Sequence, residues 1–163
     1  MKKLVASLMV GFAFSATQAA DIAVVDIEKL VQSSAYLKQQ QQAFQQSVKP
    51  QTTQIEQLQK DLTALQQKAQ SAAKISDAEK QKMSEEFETK ARKLESLQQE
   101  VQSKAQTSMQ ATQKTFETRV KTAAEQLRQE NKLDAVLNKT AVLAIDSKYD
   151  LTDKILQKVN AIK

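Results

Sequence analysis

Between Leu37 and Leu127 the chain consists almost entirely of helix-favouring residues, and apolar side chains return every three or four positions. Alternate steps of four and three from Leu37 meet Gln41, Phe44, Val48, Gln51, Ile55, Leu58, Leu62, Leu65, Ala69 and Ala72. The mean step is about 3.5 residues, the heptad period of a left-handed coiled coil. Pro50 falls inside this run and removes one backbone hydrogen bond, at about 3 kcal/mol in a helix interior. The register is unbroken from Val48 to Ile55, so Pro50 reads as a kink within one helix. At Ser76-Asp77-Ala78-Glu79 the sequence matches a capping box, in which Ser76 and Glu79 satisfy orphan amides at a new helix start. The second stripe follows through Met83, Phe87, Leu94, Leu97, Val101, Ala105, Met109, Phe116, Val120, Ala123 and Leu127, with Lys90 and Thr112 in its gaps. Its mean step is about 3.67, the eleven-residue type of period. Two such helices form an antiparallel hairpin over residues 35–129 with a tip near 71–76. The mismatch of periods predicts contact that is good in places and loose elsewhere. An arm of about 38 residues is roughly 55 Å long, against a radius of gyration near ~15 Å for a compact chain of this size. The hairpin must therefore project.

The flanks are too short for a second domain. Asp21 to Asp26 is an apolar, β-branched run that fits a strand buried on both faces. Asp26 can cap a short helix through Ile27, Leu30 and Val31, and Ser34 can cap the long helix that follows. After the hairpin, Leu133–Asn138 and Ala141–Asp146 read as two strands joined at Asn138, and Asp150 as the cap of a last helix with Leu151, Ile155, Leu156, Val159 and Ile162 on its apolar face. The expected fold is mainly α with a small β base. Residues 20–34 and 130–163 make a three-stranded body with short helices, cored and self-associated through Ile22, Val24, Val25, Leu133, Val136, Val142 and Leu143. So small a core is marginal alone, and its apolar strands need covering. A closed ring of identical bases would bury them and set several arms around one axis; periodicity does not fix the number of subunits.

Met1–Ala19 has the parts of a secretory signal: Lys2 and Lys3, the apolar run Leu4–Phe14, and small residues ending at Ala19. Cleavage there predicts an exported protein, periplasmic in a two-membrane envelope. The only glycine, Gly11, lies in that leader, and the chain has no Cys or His. Phosphate-cradling glycine loops, thiol nucleophiles, Ser-His-Asp triads and ordinary zinc sites are thereby excluded. No enzyme and no cofactor is expected. Two of the 24 basic residues leave with the leader, so the net charge falls from +5 to +3. Basic and acidic residues are interspersed, which with export argues against nucleic acid.

The leader, the Asp21-Ile22-Ala23-Val24-Val25-Asp26 strand, the Gln/Lys/Glu-rich hairpin, Leu133-Asp134-Ala135-Val136-Leu137 and the closing Leu151-Thr152-Asp153-Lys154-Ile155-Leu156 together resemble the Skp/OmpH family of periplasmic chaperones. The resemblance spans the whole mature chain in element order, and its specificity lies in the two apolar ends. It implies a homotrimer in which a β body carries three tentacle-like arms around a cavity. Unfolded outer-membrane proteins are held there without ATP before passing to the outer-membrane insertion machinery. Some members carry an arginine cluster in the second arm that is associated with lipopolysaccharide; here Lys104–Lys114 is mostly Gln, Ser and Thr. On the arm, Met83, Phe87, Met109 and Phe116 are candidate client contacts, being adaptable apolar side chains; their spacing equally suits packing of the seam. Lys68, Lys74, Lys80, Lys82, Lys90, Arg92 and Lys93 form a candidate basic tip for acidic clients or anionic lipid. Glu79, Glu85, Glu86 and Glu88 interleave with them, as on a solvated face. A structural coiled-coil spacer or tether of the envelope is the alternative function.

Overall fold

A computed structural model describes residues 20–71 and 76–162. The expected leader Met1–Ala19, Ala72 of the first stripe and Lys74 of the basic tip lie outside the described residues. The order is β1 (Ile22–Val25), α1 (Ile27–Ser33), α2 (Ala35–Ser71), α3 (Asp77–Glu130), β2 (Ala135–Asn138), two short 3-10 turns (Lys139–Ala141 and Ser147–Tyr149) and α4 (Thr152–Ala161). At 1.5 Å per residue, α2 is about 55 Å long and α3 about 80 Å. They run antiparallel, for Leu65 faces Phe87 while Phe44 faces Met109. The additional length of α3 enters the base, where Phe116, Ala123 and Leu127 join Ala23, Val25, Leu30, Leu133, Leu151, Ile155 and Val159 in one core. Among the described residues no helix is long and apolar enough to cross a membrane.

Local chemistry explains the boundaries. Asp26 caps α1 by accepting the Lys29 amide at 2.9 Å. The Ser34 hydroxyl, fully buried, accepts from Leu37 N at the start of α2. Ser76 and Glu79 form the complete capping box of α3, and the Ser76 hydroxyl holds the Glu79 carboxyl below the usual range. α2 passes through Pro50 without ending. α3 stops at Asn131, and Lys132 then takes the left-handed conformation, φ 55, while Leu133 N closes onto Arg128 O at 2.8 Å. Glycine is the usual residue at that point, and this stretch of sequence has none.

The base corrects the expected three-stranded body. The sheet has two parallel strands, with Ile22 paired to Ala135 and Val25 to Asn138. Ala141–Asp146 is not a strand. Asn138 does sit at the turn, but its side chain accepts from Thr140 N and opens a 3-10 turn in place of a β-turn. The second edge of β1 is already occupied: Val24 bridges Asp150, and Leu151 N donates to Val24 O at 2.9 Å. Leu143 is accordingly fully exposed and Val142 only half-buried, so neither belongs to the core of the single chain. Val24, Val25 and Leu133 are buried, and Ile22 and Val136 are half-buried. The cap of α4 shifts by one residue. Leu151 is its N-cap, and Asp150 acts from outside by accepting both the amide and the hydroxyl of Thr152. That hydroxyl also accepts Asp26 N at 2.8 Å, tying the end of β1 to the start of α4.

Candidate functional site

The arm is held by a narrow seam. On α2 the expected positions Leu37, Phe44, Val48, Gln51, Ile55, Leu58, Leu62 and Leu65 are all at least half-buried, whereas Gln41 and Ala69 are exposed. On α3, Met83, Phe87, Lys90, Leu94, Leu97 and Val101 follow in alternating steps of four and three, and all are at least half-buried. The distal arm therefore shares one heptad period on both helices, closer than the eleven-residue reading of α3 implied. The phase slips lower down. After Ala105 the buried line passes through Ser108 and Thr112, leaving Met109 at 66% exposure.

Polar groups interrupt this seam. Asp61 and Lys90 meet across it at 2.7 Å, with Gln57 and Glu86 attached. Lys90 and Gln57 hold the Asp61 carboxyl low, and Asp61 in turn holds the Lys90 ammonium high. Beside Pro50, Gln51 donates to Glu100 at 3.0 Å while its own carbonyl oxygen is buried without a partner.

Two open apolar grooves lie along the seam. The distal one, about 390 Å³, is lined by Leu65, Ala69, Met83 and Phe87, with Lys80 at its rim. The root groove, about 500 Å³, is lined by Val31, Leu37, Phe44, Met109 and Phe116, among others. The four candidate client residues thus divide into two pairs, with about 33 Å along α3 between Phe87 and Met109, their nearest members. Met83 and Phe87 are half-buried in the distal groove; Met109 stands on the rim of the root groove, and Phe116, 6% exposed, is its floor. Phe116 packs in the core, while Met109 has its surface free. Val31, 49% exposed, is an additional groove residue that periodicity assigned to the base. The signal was its position next to Leu30: adjacent helical residues cannot both face one core, and Leu30 is fully buried.

The described basic-tip residues stand among carboxylates. Lys80 pairs with Asp77 at 3.3 Å, Arg92 with Glu88 at 3.1 Å, and Lys90 sits in the seam with Asp61. Among the described residues, Lys68, Lys82 and Lys93 form no ion pair within the arm. Alternating neutralisation of this kind suits a solvated face.

Among the described residues, a two-stranded parallel base bears one long helical hairpin with open apolar grooves along its seam, the architecture of an arm-bearing protein. Residues 21–159 match the family described as outer membrane protein (OmpH-like), and the chain belongs to that family. Its fold is similar to that of a candidate outer membrane chaperone (OmpH-like) from Caulobacter crescentus CB15. The TM-score is 0.58 at 19% sequence identity, over 88% of this chain and 85% of that one. No curated protein sequence matches the chain.

Proposed function

We propose that this protein is an ATP-independent holdase of the periplasm, exported by a cleaved signal peptide, that keeps unfolded outer-membrane β-barrel proteins from aggregating. The observation that carries the reading is the pair of open apolar grooves on a thinly packed arm, joined to membership of the OmpH-like family. A helix pair this long stabilised only by a narrow seam can bend, and two separated grooves let one client chain bind at several weak points. Many weak contacts from several arms give avidity without tight binding at any one of them. Release toward the insertion machinery then needs no nucleotide.

The reading includes a homotrimer, with Ile22, Val24, Val25, Leu133, Val136, Val142 and Leu143 supplying core and subunit interface. Exposed Leu143 and Leu137, and the apolar segment Ala141–Ile145 left without a strand partner, support it, because such surface is costly to leave in water. Anionic lipid and lipopolysaccharide are not part of the proposal, since Lys80, Lys90 and Arg92 already have carboxylate partners. To test it, a urea-denatured porin is diluted into buffer with and without the purified protein, and light scattering is followed. Scattering falls at stoichiometric trimer without ATP; undiminished scattering at trimer excess refutes the function.

A further inference from the structure

The last turn of α4 touches the root of the arm through polar groups on both sides. The Asn160 side-chain oxygen accepts the backbone N–H of Ala35, the first residue of α2, at 3.0 Å. From α3, the Arg119 guanidinium donates to the carbonyls of Val159 (3.4 Å) and Ile162, and lies 4.0 Å from the centre of the Tyr36 ring. These contacts use groups that helices leave unpaired at their ends, an N-terminal amide of α2 and C-terminal carbonyls of α4. The cation also suits the negative end of the α4 dipole. Ile155 and Val159, both fully buried, fix α4 itself to the base.

The two arm helices are attached to the base differently. α3 runs into the core without a break, carrying Phe116, Ala123 and Leu127 with it. α2 joins α1 through a single non-helical residue, Ser34, at φ −66 and ψ 119. A single such residue between two helices is a natural hinge. On either side of it, Val31 and Leu37 line the root groove. Directly after it, Ala35 and Tyr36 are the residues held by Asn160 and Arg119. Above the hinge, Tyr36 and Leu37 pack against the base core while remaining partly exposed, and the root groove opens between Leu37 and Phe44 on α2 and Met109 and Phe116 on α3.

We propose that α2 is hinged at Ser34 and latched by the last turn of α4, and that opening the Asn160 and Arg119 contacts lifts the first turns of α2 from α3 and uncovers the Phe116 floor of the root groove. The latch sets how wide an apolar segment the groove can admit. It is a property of the free protein, tested without a client, and stands or falls independently of the holdase reading.

The native sequence has no cysteine, so Lys38→Cys and Lys114→Cys place spin labels at two exposed positions on α2 and α3 alone. Labelled chains are diluted with unlabelled chains, so that pulsed dipolar spectroscopy reads only distances within one chain. In the Arg119→Ala, Asn160→Ala double variant the distance distribution broadens about twofold toward longer separations, as a released hinge requires. Asn160→Asp, which keeps the acceptor, retains the narrow distribution. Ile155→Val loosens the core under α4 without touching the latch and also leaves it narrow. An unchanged distribution in the double variant, with helix content preserved by circular dichroism, overturns the proposal. So does equal broadening in Ile155→Val.

Discussion

Gln51 occupies a seam position between Val48 and Ile55, where the heptad would place an aliphatic residue. Its amide nitrogen reaches Glu100, but its carbonyl oxygen is buried with no donor. An unpaired buried acceptor costs about 1–3 kcal/mol. Gln51→Leu removes that cost and adds about 1 kcal/mol for half-burying an aliphatic side chain. It gives up one hydrogen bond to an exposed carboxylate, about 1 kcal/mol, and Glu100 keeps Lys104 at 2.8 Å. The balance is a seam tighter by about 1–3 kcal/mol in its middle third. Because the arm opens locally, native-state hydrogen exchange is the suitable assay. Amides around Val48 and Leu97 exchange roughly tenfold slower or more in the variant, tenfold corresponding to about 1.4 kcal/mol. Exchange that is unchanged or faster there refutes the claim that polar interruptions weaken the seam.

Phe116→Ala removes a side chain shared by the base core and the groove floor; urea denaturation shows a loss of about 3–5 kcal/mol. Met109→Ala leaves stability within about 0.5 kcal/mol and lowers protection of a porin from aggregation. Lys132→Gly relieves the left-handed position after α3 and raises stability by about 1 kcal/mol, read from the urea midpoint. The Asp150 carboxyl is held down to about 2 by the Thr152 hydroxyl and by Lys139. Its stabilisation is full above the unfolded value of about 4 and is lost as pH falls toward about 2, on the order of 1–2 kcal/mol after solvent screening. Asp150→Asn flattens part of the stability difference between pH 5 and pH 2.5. Glu125, also held near about 2 by Arg128 and Gln129, titrates in the same window and keeps the remainder.

The α2 register was readable because the pattern needs only the chain's own apolar spacing, and Leu58, Leu62 and Leu65 all pack where counting put them. The caps at Asp26, Ser76 and Glu79 were readable for the same reason, being contacts over three residues. Ala141–Ile145 has the composition of a strand, yet a strand also needs a free edge. That edge was taken by Asp150, whose pairing to Val24 spans 126 residues and leaves no trace in local pattern. Met109 lies on the stripe when positions are counted from Ala105 by four. The chain instead half-buries Ser108, because the line of contact is set by α2, and apolar spacing on α3 alone does not record it. Val31 needed the fold as well, since only the α1–α2 corner brings it over the root groove.

On the proposed function, clients bind on the grooved face of the arm. A photo-crosslinking side chain placed at Met109, on the rim of the root groove, is compared with one at Lys114, about 140° away around α3, each in the presence of an unfolded porin. Crosslinks form from position 109 and are largely absent from 114. Equal yields from both positions would show that clients do not select the grooved face.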